Sequence, residues 1–115
     1  MKKRDSINLI FRYSDLVKNS LLKRGITDIR MLINFMLSDY EFQGFIFQYV
    51  TNIGELSKIL DDSTKAKIVG VDWDGLYRAR NIIAHDYKAV STTVISRLVM
   101  RSILPLRDQL SHIIS

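Results

Sequence analysis

Apolar side chains recur at Phe42, Phe45, Ile46, Tyr49, Ile53, Leu56 and Leu60, the mixed three- and four-residue spacing of one helix face. A stripe this long must be covered by other elements. Those elements read as helical too. Ile7, Ile10, Phe11, Val17 and Leu21 repeat the same period between Asp5 and Arg24. "AKIVGV" is the only short β-branched run, and nothing nearby would pair with it. The expectation is an all-α fold: an antiparallel bundle of four main helices with one or two short extra helices. The 115 residues suit one domain, 1–115, large enough to bury a core without disulfides or a metal.

Boundary signals divide the chain. Lys23 and Arg24 complement the dipole at the end of the first helix, and Gly25 stops it. Thr27 is expected to cap a short helix through "DIRMLINFML". Ser38 and Glu41 have capping-box spacing and are expected to start the long central helix, which "DDST" ends. A short helical piece through "KAKI" and a turn at Gly70 follow. Asp72 is placed to cap the next helix, and Ser91 the last, from Thr92 to about Ile114. In that last helix Val94 or Ile95, Leu98, and Val99 through Leu110 supply the core. Pro105, the one proline, should kink or locally break it.

Composition excludes several chemistries. There are no cysteines, so thiol catalysis, disulfides and cysteine-ligated zinc are ruled out. No clustered His or carboxylate spacing suggests a metal site, and no cofactor is expected. The formal net charge of +5 favours polyanions such as RNA or DNA, although the basic residues are scattered. Their densest run, "MKKRD", reads as a solvated helix start. No targeting signal is recognisable, and no apolar run approaches the ~20 residues that span a bilayer. A soluble, cytoplasmic protein with no membrane partner is expected.

The stretch "LYRARNIIAHDY", Leu76 to Tyr87, carries the chemistry. On a helical wheel Trp73, Leu76, Tyr77, Ile83 and Ala84 share a face, and Arg80 falls in the middle of it. A buried, unpaired guanidinium is costly. Arg80 therefore snorkels or pairs with an acid such as Glu55, or faces a partner subunit and a solvent-filled cleft, or binds phosphate. His85 lies five residues on, about 140° round a straight helix. Asn81 and His85, four apart, share a face. For Arg80 and His85 to act on one phosphate, the helix must end or bend near Ala84, or two chains must combine. "HDYKAVS" supports an ending, with His85 at a helix C-terminus, where a cation complements the dipole. A positioned histidine can act as general acid or base, and an arginine can stabilise phosphoryl charge. Such a pair could cleave RNA without metal by activating the ribose 2′-hydroxyl.

These residues resemble the R-x(4–6)-H motif of the HEPN superfamily (higher eukaryotes and prokaryotes nucleotide-binding). More narrowly they resemble the HepT-like branch, whose motif R-N-x-x-A-H-x-Y falls on Arg80, Asn81, Ala84, His85 and Tyr87. "IGEL" at Ile53 to Leu56, Trp73 before the motif helix, and "LPL" at Leu104 to Leu106 match family landmarks in order. The similarity runs from about Ser38 to the C-terminus. The proline usual before the tryptophan is absent, and Ser91 stands where an aspartate commonly caps the last helix.

The resemblance implies a homodimeric, metal-independent endoribonuclease toxin with two motifs meeting in one RNA-cleaving cleft. Arg80 and His85 would be the catalytic pair, supported by Asn81 and Asp86. A nucleotidyltransferase antitoxin would transfer AMP from ATP to Tyr87 and block the site. Two other readings stand beside this one. One is a non-catalytic HEPN nucleotide-binding or scaffold partner of a nucleotidyltransferase. The other is a plain structural bundle in which Arg80 closes an internal salt bridge. Trp73 is expected to pack in the core, with Glu55 a structural partner near the motif. The aromatics of "YEFQGFIFQY" cover more than one helix face; core packing explains most of them, and some are expected to serve dimer or antitoxin contacts.

Overall fold

A computed structural model describes residues 3–114 of the chain, so Met1 and Lys2 of the basic N-terminal run lie outside the described residues. The helices are α1 (Lys3–Lys23), α2 (Ile29–Ser38), α3 (Tyr40–Ser57), α4 (Asp62–Ala66), α5 (Trp73–His85), α6 (Thr92–Leu98) and α7 (Leu104–Ile114). A π-helical turn, Val99–Ile103, joins α6 to α7, so the last three pieces form one long helix with a local break. No strand occurs among the described residues. The fold is the all-α bundle that the periodicity requires, with α2 and α4 as the short extra helices.

Central helix α3 organises the packing, with α1 against one side and α5 against another. Helix α1 also packs on α7, and α2 on α6. Ile10, Val17, Leu32, Met36, Ile46, Val50, Ile53, Leu76, Ile103, Leu106 and Leu110 are fully buried in one core. Ile95 is buried and Val94 exposed, which settles the choice between them. Ion pairs at the surface tie α1 to α7: Arg107 reaches Asp15 at 2.9 Å, and Lys18 reaches Asp108 at 3.4 Å.

Several boundaries move. Asp28, not Thr27, caps α2 by accepting from the Met31 N–H. Helix α2 continues through Ser38, whose hydroxyl donates back to the Phe35 carbonyl. The capping box expected at Ser38 and Glu41 is therefore absent. Asp39 alone joins the two helices, closing α2 with its N–H and capping α3 with its carboxylate on the Phe42 N–H. A carboxylate also complements the helix dipole, which a hydroxyl does not. Helix α3 ends at Ser57, before "DDST", and Asp61 caps α4 through the Thr64 N–H. The piece expected over "KAKI" accordingly begins earlier. Asp72 and Ser91 cap α5 and α6 as the sequence indicates, on the Gly75 and Val94 N–H groups. Gly25 and Gly70 have φ of +66° and +76°, the left-handed turns that only glycine takes cheaply. The break before Pro105 also follows from its chemistry. Proline has no N–H and crowds the carbonyl four residues back, and the wider π turn absorbs both.

Candidate functional site

Helix α5 carries most of the candidate residues. Its buried line runs through Gly75, Leu76 and Ala79, with Trp73, Tyr77 and Ile83 half-buried beside it. Arg80 occupies the shoulder of this face rather than its centre, and Ala84 is exposed. The wheel's symmetric stripe is displaced because two helices press on α5 from different sides. Helix α3 approaches so closely at Gly54 that a Cβ there would lie 2.9 Å from the Leu76 carbonyl oxygen and 3.1 Å from the Arg80 Cβ. Helix α6 comes in on the other flank, where Leu98 would meet a Cβ at Gly75 at 3.0 Å.

The close approach at Gly54 sets the next residue's task. Glu55 reaches the Arg80 guanidinium, Oε2 to Nε at 2.5 Å. Arg80 also donates from Nη1 to the Asn81 side-chain amide oxygen, Oδ1, at 2.9 Å. Two contacts on different nitrogens fix the plane of the guanidinium, and N–H groups remain for an anion. The Arg80 side chain is 27 % exposed and that of Glu55 54 %, so the pair sits at the rim of the core in reach of solvent. The acid partner expected for Arg80 is thus present, on its own chain. Trp73 packs against the core, as expected of it, with the Lys65 ammonium 5.6 Å from its ring centre.

Helix α5 ends at His85, and the Asp86 N–H closes it on the Ile82 carbonyl at 2.8 Å. Tyr87 begins a short 3-10 turn, Tyr87–Ala89. His85 and Asp86 are exposed, and neither side chain has a hydrogen bond or ion pair among the described residues. Asp86 therefore makes no bond to His85 or Arg80 within this chain. Because α5 stays helical through His85, Arg80 and His85 remain about 140° apart and point to different sides. Asn81 lies between them, bonded to Arg80 and one turn before His85. The ring of Tyr87 rests on Phe47, with centroids 5.2 Å apart, yet remains 50 % exposed. Phe47 is a residue that the sequence reading did not single out. It stands off the main α3 stripe, and that second apolar face was the available signal.

An all-α bundle bearing R-N-x-x-A-H-x-Y at the exposed end of a helix is of the HEPN class. A family model described as "Ribonuclease HepT-like" matches residues 12–113, and the chain belongs to that family. No curated protein matches the chain significantly, and neither does any solved structure. Among the described residues no group of three or more His, Cys, Asp or Glu could hold a metal, and no helix is long and apolar enough to cross a membrane.

Proposed function

We propose that this protein is a metal-independent endoribonuclease toxin in which Arg80 and His85 form the catalytic pair at a homodimer cleft. Family membership supports ribonuclease activity. The observation that carries the residue assignment is an oriented but accessible arginine on one side of α5 and, at its end, an exposed imidazole with no partner among the described residues. In this reading His85 takes the proton of a ribose 2′-hydroxyl. The resulting oxygen attacks the adjacent phosphorus, the P–O5′ bond breaks, and the departing O5′ takes a proton from water, leaving a 2′,3′-cyclic phosphate and a 5′-hydroxyl; the imidazolium then returns its proton to solvent. Arg80 stabilises the charge that develops on the phosphoryl oxygens. Asn81 and Glu55 hold the guanidinium, and Asp86 supports the imidazole from the second chain's side of the cleft. The divergence of Arg80 and His85 on one helix is the reason for a dimer: Arg80 of one chain and His85 of the other converge on one phosphate.

The toxin would be neutralised by a nucleotidyltransferase antitoxin. The Tyr87 hydroxyl attacks the α-phosphorus of ATP, AMP is transferred and pyrophosphate leaves. Half-exposure of Tyr87 supports its access to a modifying enzyme. An added phosphate two residues from His85 would repel RNA from the cleft.

Purified protein is expected to cut RNA in EDTA, with Arg80→Ala or His85→Ala abolishing the cut. Cleavage that survives both substitutions rejects the assignment. Co-expression with a nucleotidyltransferase antitoxin should add one or more AMP masses to the wild type and none to Tyr87→Phe. The Glu55–Arg80 pair also suits a purely structural arginine. That reading predicts a large stability loss in Arg80→Ala, whereas a pair this exposed is worth only about 0–1 kcal/mol.

A further inference from the structure

Beside the motif lies a cleft of about 460 Å³ between α5, the segment after Tyr87, and the last helix. Three arginines line it: Arg78 from α5, Arg97 from α6 and Arg101 from the π turn. All three are exposed, and none has an ion pair or side-chain hydrogen bond among the described residues. They differ in this from Arg80 and Arg107, each held by a carboxylate. One acid, Asp72, shares the lining, but its carboxylate is committed to the Gly75 N–H at 2.8 Å. Between the cations the floor is apolar, with Ile82 and Val94 both partly open to solvent.

The cleft's position relative to His85 gives it meaning. Arg78, Ile82 and His85 are spaced four and three apart, so all three lie on one face of α5. Arg80 points to a different side, toward α3. His85 therefore lies on the same face of α5 that lines the cleft, at its end of the helix and outside the lining itself. Cleft residues also flank the motif in sequence, with Arg78 and Ala79 before it and Ala89 to Ser91 after it, while Ile82 lies within it.

We propose that this cleft holds a single strand of RNA on the side of His85, with Arg78, Arg97 and Arg101 on successive phosphates and bases against the apolar floor. This rests on the ribonuclease reading above and extends it from the reacting phosphate to the neighbouring nucleotides. Three cations from three separate elements suit a strand better than one compact anion. Phosphate contacts supply affinity and register, and apolar surface supplies sequence-tolerant stacking. The arginines are positioning residues, since none faces the reacting atoms.

The test is equilibrium binding of a 2′-O-methyl oligoribonucleotide, which cannot be cut, to the full chain at several salt concentrations. Arg78→Ala, Arg97→Ala and Arg101→Ala should each weaken binding about two- to fivefold. Each should also lower the slope of log K against log salt by about 0.7. Arg12→Ala and Arg30→Ala, exposed arginines outside the cleft, should leave both unchanged. Circular dichroism of every variant checks folding. With cuttable RNA, the cleft variants should raise KM for an octanucleotide while leaving kcat for a dinucleotide unchanged. Equal effects of cleft and control substitutions overturn the proposal. So does AMP binding through the same arginines with no gain from added nucleotides. The two readings fail separately. Binding that depends on the cleft without any cleavage removes the ribonuclease and leaves the cleft. Cleavage that needs His85 but ignores the arginines does the reverse.

Discussion

Gly54→Ala tests the claim that a close helix approach sets the position of Arg80. Alanine is the better helix former, worth about 1 kcal/mol in a helix interior. At Gly54 the new methyl would meet the Leu76 carbonyl oxygen at 2.9 Å and the Arg80 Cβ at 3.1 Å. Neither is the far end of a flexible side chain, so α3 and α5 must separate. Overpacking of this kind costs about 1–3 kcal/mol. The net effect is a loss of about 0–2 kcal/mol. Gly44 supplies the internal control, because it lies in the same helix and a Cβ there meets nothing within 4 Å. Gly44→Ala should therefore stabilise the chain by about 0.5–1 kcal/mol. Propensity cancels between the two variants, leaving the clash as their difference. At roughly 4 °C per kcal/mol, their thermal midpoints should differ by several degrees. Helical circular dichroism during heating and urea titration measures this. Gly54→Ala should also slow RNA cleavage, since Arg80 moves with α5, while Gly44→Ala should not. A Gly54→Ala protein as stable as Gly44→Ala would refute the reasoning.

Arg80→Ala is expected to lose activity with a stability change below about 1 kcal/mol, because its ion pair is partly exposed. A drop of several kcal/mol in urea unfolding would instead favour the structural reading. Asp72→Ala removes the cap of α5 and should cost about 1 kcal/mol, read from the same titration; an unchanged midpoint would refute the cap's importance. Asp108 predicts an acid response. Burial pushes its carboxyl up, but hydrogen bonds and charge from Arg107 and Lys18 outweigh this and hold it below the usual carboxylate range. Its contribution is present above the unfolded pKa of about 3.9 and is lost as pH falls through the lower folded value. Asp108→Asn should flatten the midpoint's decline below about pH 4, and an unaltered decline would reject that role.

The fold was legible because a helical stripe is a local pattern with one physical solution. Phe42, Ile46 and Ile53 are buried where their spacing puts them. Caps were legible at Asp72 and Ser91. At Thr27–Asp28 and Ser38–Asp39 two competent caps are adjacent, and the carboxylate takes the place in both. The need of Arg80 for an acid could be read from sequence, with Glu55 as one candidate, because a guanidinium near a core is costly unpaired. The shoulder position of Arg80 could not, because it depends on how closely α3 and α6 approach α5. The arginines of the cleft were invisible as a group, since Arg78 and Arg101 belong to different elements.

By itself the sequence determined an all-α chain, its breaks at Gly25, Gly70 and Pro105, and the motif from Arg80 to Tyr87. These follow from backbone propensity, apolar period and residue chemistry, all of which act over a few positions. Tertiary structure alone decided that Glu55 meets Arg80, that Tyr87 lies on Phe47, and that three arginines without a partner among the described residues line one cleft. Each is a meeting of side chains from separate helices. Such meetings are set by interhelical distance and rotation, and at Gly54 by the absence of a single methyl group.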